Sequence, residues 1–208
     1  MPRIRASSIG EHKALTRRAL LDAARTLIDE KGSAEISLGE VAFLAGVGRT
    51  TFYDYFADRD DVIAALVEEE LPKVVADLIA EVPRGLPTPE RLGVLAAKMV
   101  EFIAKDRVFG VILHREAGRM NPDTQKRIID SHVQLSQEMA GLYRRGVEEG
   151  VFRPLPPRLA GSLIQDTIMS AAKVFIEGED TPERLEEVTA GLRSFLLGGL
   201  GYPGGTER

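Results

Sequence analysis

Apolar residues recur at three- and four-residue intervals along almost the whole chain, and this helical period limits the available folds more than any other feature. The alternating β-branched pattern of strands is absent, and Gly and Pro punctuate the chain at helix-length intervals. An all-α protein is the expectation. With 208 residues, 44% of them hydrophobic, the chain has enough apolar side chain for a real core. It has no cysteine, which removes disulfides, thiolate chemistry and cysteine-based zinc sites and suits a reduced, cytoplasmic setting. The basic start, Met1 to Gly10, has no apolar stretch behind it, and no run approaches the roughly 18 apolar residues of a membrane span. Neither a signal peptide nor a membrane partner is expected.

The spacing predicts a first helix from about Thr16 to Lys31, with Leu20, Ala23, Ala24, Leu27 and Ile28 on one face and Gly32 as its stop. Ser37-Leu38-Gly39-Glu40 fits a capping box, so a second helix starts at Ser37, and Gly46-Val47-Gly48 interrupts it. A third runs from Arg49 to Phe56. A fourth opens at Asp58 and continues toward Ile79, with a kink expected at Pro72. After the breaker Pro83 to Pro89, further helices are expected near Glu90–Lys105, Arg107–Gly118, Pro122–Glu149, Pro157–Glu177 and Pro182–Leu197, about nine in all. Asn121-Pro122 and Thr181-Pro182 are start signals, a cap followed by proline at the first helical position. The glycine-rich end, Gly198 to Gly205, is expected to fray.

Two short helices joined by a glycine-containing turn form the unit that places a recognition helix in the DNA major groove, and Ser37 to Phe56 has that layout. Gly46 permits the left-handed turn, Val47 is its buried plug, and Phe52 and Phe56 lie four apart on the inward face. Arg49, Thr50, Thr51, Tyr53 and Tyr55 remain for the outward face. Arginine pairs with guanine edges, threonine offers a hydroxyl and a methyl to thymine, and tyrosine hydroxyls reach phosphates. The pattern is also met in ordinary helical bundles, where the tyrosines would pack between helices. The net charge of -5 hides a basic beginning: Arg3, Arg5, Lys13, Arg17, Arg18 and Arg25 face only Glu11 and Asp22, a surplus that suits a polyanion. Glu68-Glu69-Glu70, by contrast, reads as a solvated helix face.

The segment Ala45-Gly46-Val47-Gly48-Arg49-Thr50-Thr51-Phe52-Tyr53-Asp54-Tyr55-Phe56, continued by Ala57-Asp58-Arg59-Asp60-Asp61-Val62, resembles the signature of the tetracycline-repressor (TetR) family. The resemblance extends back through Leu20-Leu21-Asp22-Ala23-Ala24 and Ile36-Ser37-Leu38-Gly39-Glu40-Val41-Ala42, covering about the first third of the chain. It implies a three-helix DNA-binding head over residues 1–62, a helical ligand-binding and dimerisation body over 63–208, and a homodimer on a palindromic operator. By position it implies that Arg49 and Thr51 meet bases, that Thr50, Tyr53, Tyr55 and Arg59 hold phosphates, and that Ser37 and the basic arm add backbone contacts. The sequence departs from the family pattern at Gly48 for a serine cap, Thr50 for a glycine, Arg59 for a lysine and Ser33 for an aromatic. None breaks the motif, since glycine is itself an acceptable cap and Arg59 keeps the charge.

In the last two helices apolar or small residues cover more than one face: Leu163, Thr167, Ser170, Ala171 and Val174 in one, Val188, Gly191, Leu192, Phe195 and Leu196 in the other. The resemblance implies that these two helices form the dimer interface, with Leu163, Thr167, Ser170, Val174, Val188, Leu192, Phe195 and Leu196 as its candidates; closing the protomer's own core is the alternative. Phe102, Phe109, Leu113, Met120, Leu135, Met139, Tyr143, Gln165 and Met169 are candidates for the apolar effector cavity that the resemblance implies. The expected function is a transcriptional regulator, a repressor released from its operator by a small apolar or amphipathic effector. The alternatives are a DNA-binding regulator without a small ligand, and a helical-bundle carrier or enzyme. His12, His114 and His132 lack metal-ligand spacing, and no phosphate-cradling loop or nucleophile elbow occurs, so no metal, cofactor or catalytic residue is expected.

Overall fold

A computed structural model describes residues 9–31, 35–179 and 181–201. The arm with Arg3 and Arg5, the expected stop at Gly32, Ser33, Gly204 and Gly205 lie outside the described residues, as does the side chain of His114. The helices are α1 (Ile9–Lys31), α2 (Leu38–Leu44), α3 (Arg49–Phe52), α4 (Arg59–Ala80), α5 (Thr88–Lys105), α6 (Arg107–Val111), α7 (Pro122–Ser131), α8 (Val133–Glu148), α9 (Pro157–Ile176) and α10 (Pro182–Gly199). A π-type turn over Ile112–Glu116 and a 3-10 turn over Ala117–Arg119 follow α6. No strand occurs among the described residues.

The chain groups into two compact units, Met1–Leu71 with Arg107–Ser131, and Pro72–Asp106 with His132–Arg208. In the first, α1 packs on α2 and α6, and α2 on α3. Its core takes Leu20, Ala24 and Ile28 from α1, Val41 and Ala42 from α2, then Phe52, Phe56 and Ile63, all buried. In the second, α5 packs against α8, α9 and α10. Leu92, Leu95, Ala96, Met99, Val100 and Ile103 make its buried stripe, the three-and-four spacing that an amphipathic helix needs. Gly146 of α8 is held there by steric demand: a Cβ at that position would stand 2.1 Å from the Phe152 ring, which stacks on Tyr143.

The structure departs from several of these expectations. α1 begins at Ile9 rather than Thr16, because residues 9–15 are all exposed and carry no buried stripe to announce the helix. The helix expected over Pro122–Glu149 is two, since His132 leaves the helical region at φ -115°, ψ 18° although neither Gly nor Pro marks the site; this break raises the expected nine helices to ten α-helices among the described residues. The helix expected to Gly118 ends at Val111 and gives way to the two irregular turns. α9 is long and apolar enough, by length and composition, to cross a membrane, with a mean hydropathy of 1.2 over its most apolar window. Gln165, Asp166 and Lys173 break up any continuous apolar run there, so the average exceeds what the pattern suggests. Asn121 and Thr181 act as the expected caps, accepting from Thr124 N–H at 2.9 Å and Arg184 N–H at 3.3 Å. α10 continues through Gly198 and Gly199 instead of fraying there.

Candidate nucleic-acid interface

The capping box forms at α2. Ser37 is its N-cap, and the Glu40 carboxylate accepts from the Ser37 N–H at 3.1 Å. Lys31 also donates to Glu40, at 2.8 Å; that bond, with the Ser37 amide, holds the Glu40 carboxyl below its ordinary range. At the other end Gly46 takes φ 72°, Gly46 N–H bonds to Phe43 O and Val47 N–H to Ala42 O, each at 3.0 Å. This is the Schellman arrangement, in which a left-handed glycine lets the chain reverse and satisfies the last carbonyls of the helix. Val47 is half-buried rather than the fully buried plug expected.

α3 is shorter than expected. Regular helix covers Arg49–Phe52, and from there Tyr53, Asp54 and Tyr55 donate to carbonyls three residues back, so the chain tightens into 3-10-like turns before α4. Phe52 and Phe56 anchor the segment, both buried, with ring centroids 5.7 Å apart, and the Arg17 guanidinium lies 5.6 Å from the Phe56 ring centroid. With those two rings turned inward, Arg49, Thr50 and Tyr53 are exposed, and Thr51, Tyr55 and Arg59 are half-buried at the same surface stretch; Ser37 is exposed at the start of α2. Arg59 leans on Asp60, 3.1 Å away. Phe43, 80% exposed, and Leu44 border a shallow depression of about 440 Å³ shared with Leu27 and Ser37.

The junction from α3 into α4 is tied by carboxylates. Asp58 caps α4, accepting from the Asp61 N–H at 2.8 Å, and Asp61 in turn accepts from the Ala57 N–H at 2.8 Å. Arg127 of α7 donates to Asp61 at 2.7 Å and to both oxygens of Glu68 at 2.8 and 2.7 Å. The Glu68 bonds first, then those to Asp61, outweigh desolvation and push the Arg127 guanidinium further toward its charged form. Sequence spacing gives no sign of this clamp, whose partners stand 59 and 66 residues apart.

Two charge expectations are corrected together. Glu69 accepts from Arg17 and, at 2.9 Å, from Arg18, while Glu70 accepts from Arg25 at 2.7 Å. The acidic run is therefore a set of ion-pair acceptors, and three of the arginines counted toward a free basic surface are neutralised inside the unit. Burial raises the Glu69 pKa, but the Arg17 and Arg18 bonds prevail and leave it below the ordinary value.

The remaining candidates are spread over both units. Phe109 and Met120 are buried and Leu113 half-buried in the first. In the second, Leu135, Met139 and Tyr143 are buried, Phe102 and Met169 half-buried, and Gln165 exposed. Tyr143 is a structural anchor: its hydroxyl donates to Arg153 O at 3.1 Å and accepts from Leu155 N–H at 2.7 Å. Leu163, Val174 and Phe195 are 47%, 53% and 71% exposed, and Ser170 is exposed. Thr167 and Val188 are half-buried, whereas Leu192 and Leu196 are only 4% exposed and pack within the protomer.

A family model described as the tetracyclin repressor-like C-terminal domain matches residues 85–194, and one described as bacterial regulatory proteins, tetR family, matches residues 20–66. The fatty acid metabolism regulator protein of Bacillus subtilis is 23% identical, over 72% of this chain and 77% of its own. The HTH-type transcriptional regulator BetI of Brucella canis is 31% identical, but the match spans only 42% of this chain and 44% of that one. Among solved structures, the transcriptional regulator FadR from Bacillus subtilis in complex with stearoyl-CoA superposes with a TM-score of 0.74 at 20% identity, covering 88% of this chain and 98% of that one.

Proposed function

The chain belongs to the tetracycline-repressor (TetR) family, and from that premise we propose that it is a sequence-specific transcriptional regulator released from a palindromic operator by a small-molecule effector. Residues 1–62 form the DNA-binding part and residues 63–208 the ligand-binding and dimerisation part. The observation that carries the reading is the local geometry at α2 and α3. A capped helix, a left-handed glycine turn and a short second helix leave Arg49, Thr50 and Tyr53 exposed, with Thr51, Tyr55 and Arg59 beside them. Arg49 and Thr51 read base edges, while Thr50, Tyr53, Tyr55, Arg59 and Ser37 hold phosphates. The protein acts in the cytoplasm as a homodimer, joined through the exposed side chains of α9 and α10. An apolar or amphipathic effector lowers operator affinity by binding more tightly to the state that does not fit DNA. A long-chain acyl thioester of the kind held by the Bacillus subtilis FadR structure is the first effector to try.

The test is a salt-controlled titration of effector-free protein against DNA from immediately upstream of its own gene, beside random-sequence DNA. A preference of about a thousandfold or more is expected for a specific regulator. Equal weak binding to that fragment, to random DNA and to fragments from across the source genome would overturn the proposal. Release of the specific complex by stearoyl-CoA, and not by free coenzyme A, would identify the acyl chain as the recognised group.

A further inference from the structure

A crevice of about 370 Å³ opens in the second unit, beside the first turn of α5 and the last turn of α8. Three arginines line it, each from a different piece of chain: Arg84 from the loop before α5, Arg91 from α5 and Arg145 from α8. One carboxylate stands among them, Glu149, which accepts from the Thr88 hydroxyl at 2.8 Å. Arg91 gives one nitrogen to Glu138 at 3.1 Å, while its Nε is buried with no hydrogen-bond partner. Arg84 and Arg145 are exposed and form no ion pair among the described residues. In a chain of net charge -5, whose Arg17, Arg18, Arg25 and Arg127 are all tied to carboxylates, Arg84 and Arg145 are two positive charges at one crevice that no ion pair among the described residues uses, with the Glu138-paired Arg91 beside them.

We propose that this crevice binds a small organic molecule carrying a phosphate group. Guanidinium forks match phosphate oxygens in geometry as well as charge, and three of them around one opening suit a dianion better than a single carboxylate. The first turn of α5, which no side chain caps, adds favourable potential for an anion. The crevice is roomier than a bare phosphate needs and falls in the size range of small-molecule sites, and Leu86 and Val151 give it apolar wall for an organic body. None of the nine effector-cavity candidates lines it, so the proposal stands independently of the effector reading.

The experiment is calorimetric titration of the full-length protein at low salt with phenyl phosphate and, separately, inorganic phosphate. Saturable binding of one phenyl phosphate per chain is expected, tighter than inorganic phosphate and strengthening with pH as the phosphate loses its second proton near pH ~6. Arg84→Ala and Arg145→Ala, both at exposed positions that folding tolerates, are each expected to weaken binding about tenfold or more by removing a charge-assisted hydrogen bond. Arg158→Ala, an exposed position on α9 outside the crevice, leaves it unchanged. Absence of saturable binding, or equal weakening by Arg158→Ala, would overturn the site. Equal affinity for the two probes would overturn the organic half of the assignment.

Discussion

At the scale of single residues, two glycines are fixed for different physical reasons. At Gly46 a Cβ would meet nothing within 4 Å, so Gly46→Ala carries only the cost of a left-handed backbone, about 1–2 kcal/mol. Gly146→Ala drives a methyl into the Phe152 ring, and the repacking it forces is expected to cost at least as much, about 1–3 kcal/mol. Urea unfolding of both variants separates the two, because only Phe152→Leu in the same chain should relieve the second. The base-reading and phosphate-holding roles proposed for the surface residues of α3 and α4 are separable by mutation. Thr51→Ala is expected to relax sequence preference by about 1–3 kcal/mol at one base position. Arg59→Ala should weaken all sequences alike and lower the salt dependence by about one phosphate's worth. An unchanged salt slope in Arg59→Ala would refute its phosphate role.

At the scale of elements, α4 is an acidic acceptor for arginines on two other helices, α1 and α7. The sign of its pH dependence follows from Glu69, whose folded pKa is below the ordinary value of 4.5. Its contribution is present above pH 4.5 and is lost as pH falls through the folded value. Because Arg17, Arg18 and Glu69 are about a third to a half exposed, that contribution is no more than about 1 kcal/mol and shrinks with salt. Thermal unfolding of Glu69→Gln against the parent checks it: the difference should be visible at neutral pH and low salt and shrink as pH falls below 4.5. The Arg127 clamp reaches closer to function, because Asp61 holds both Arg127 and the Ala57 amide that follows α3. Arg127→Ala is expected to reduce operator affinity while circular dichroism keeps its helical signal, and Arg127→Lys, which retains one bond, to restore part of it.

At the scale of the whole molecule, the exposed apolar side chains of α9 and α10 are out of place on an isolated protomer. Leu159, Leu163, Val174 and Phe195 are all large and about half exposed or more. A C2 dimer would cover such faces with their own copies, and it would fix the distance between two DNA-reading parts on a palindrome. Phe195→Asp combined with Leu163→Asp is therefore expected to give a monomer by sedimentation and to lose operator binding, leaving the fold intact by circular dichroism. A dimer that survives both changes would move the interface elsewhere.

The sequence alone determined whatever depends on residues a few positions apart. The capping box at Ser37 and Glu40, the turn at Gly46, the inward pair Phe52 and Phe56, and the caps at Asp58, Asn121 and Thr181 are local signals, and each appears as expected. Tertiary structure decided what depends on partners distant in sequence. It turned the Glu68–Glu70 run from a solvated face into the acceptor for four arginines, and it cut the long helix at His132, where no local breaker exists. It also placed Leu192 and Leu196 inside the protomer and left Phe195 between them in solvent, a choice that helical period permits but does not make. Charge and burial are properties of neighbours in space, and a chain read residue by residue does not contain them until it is folded.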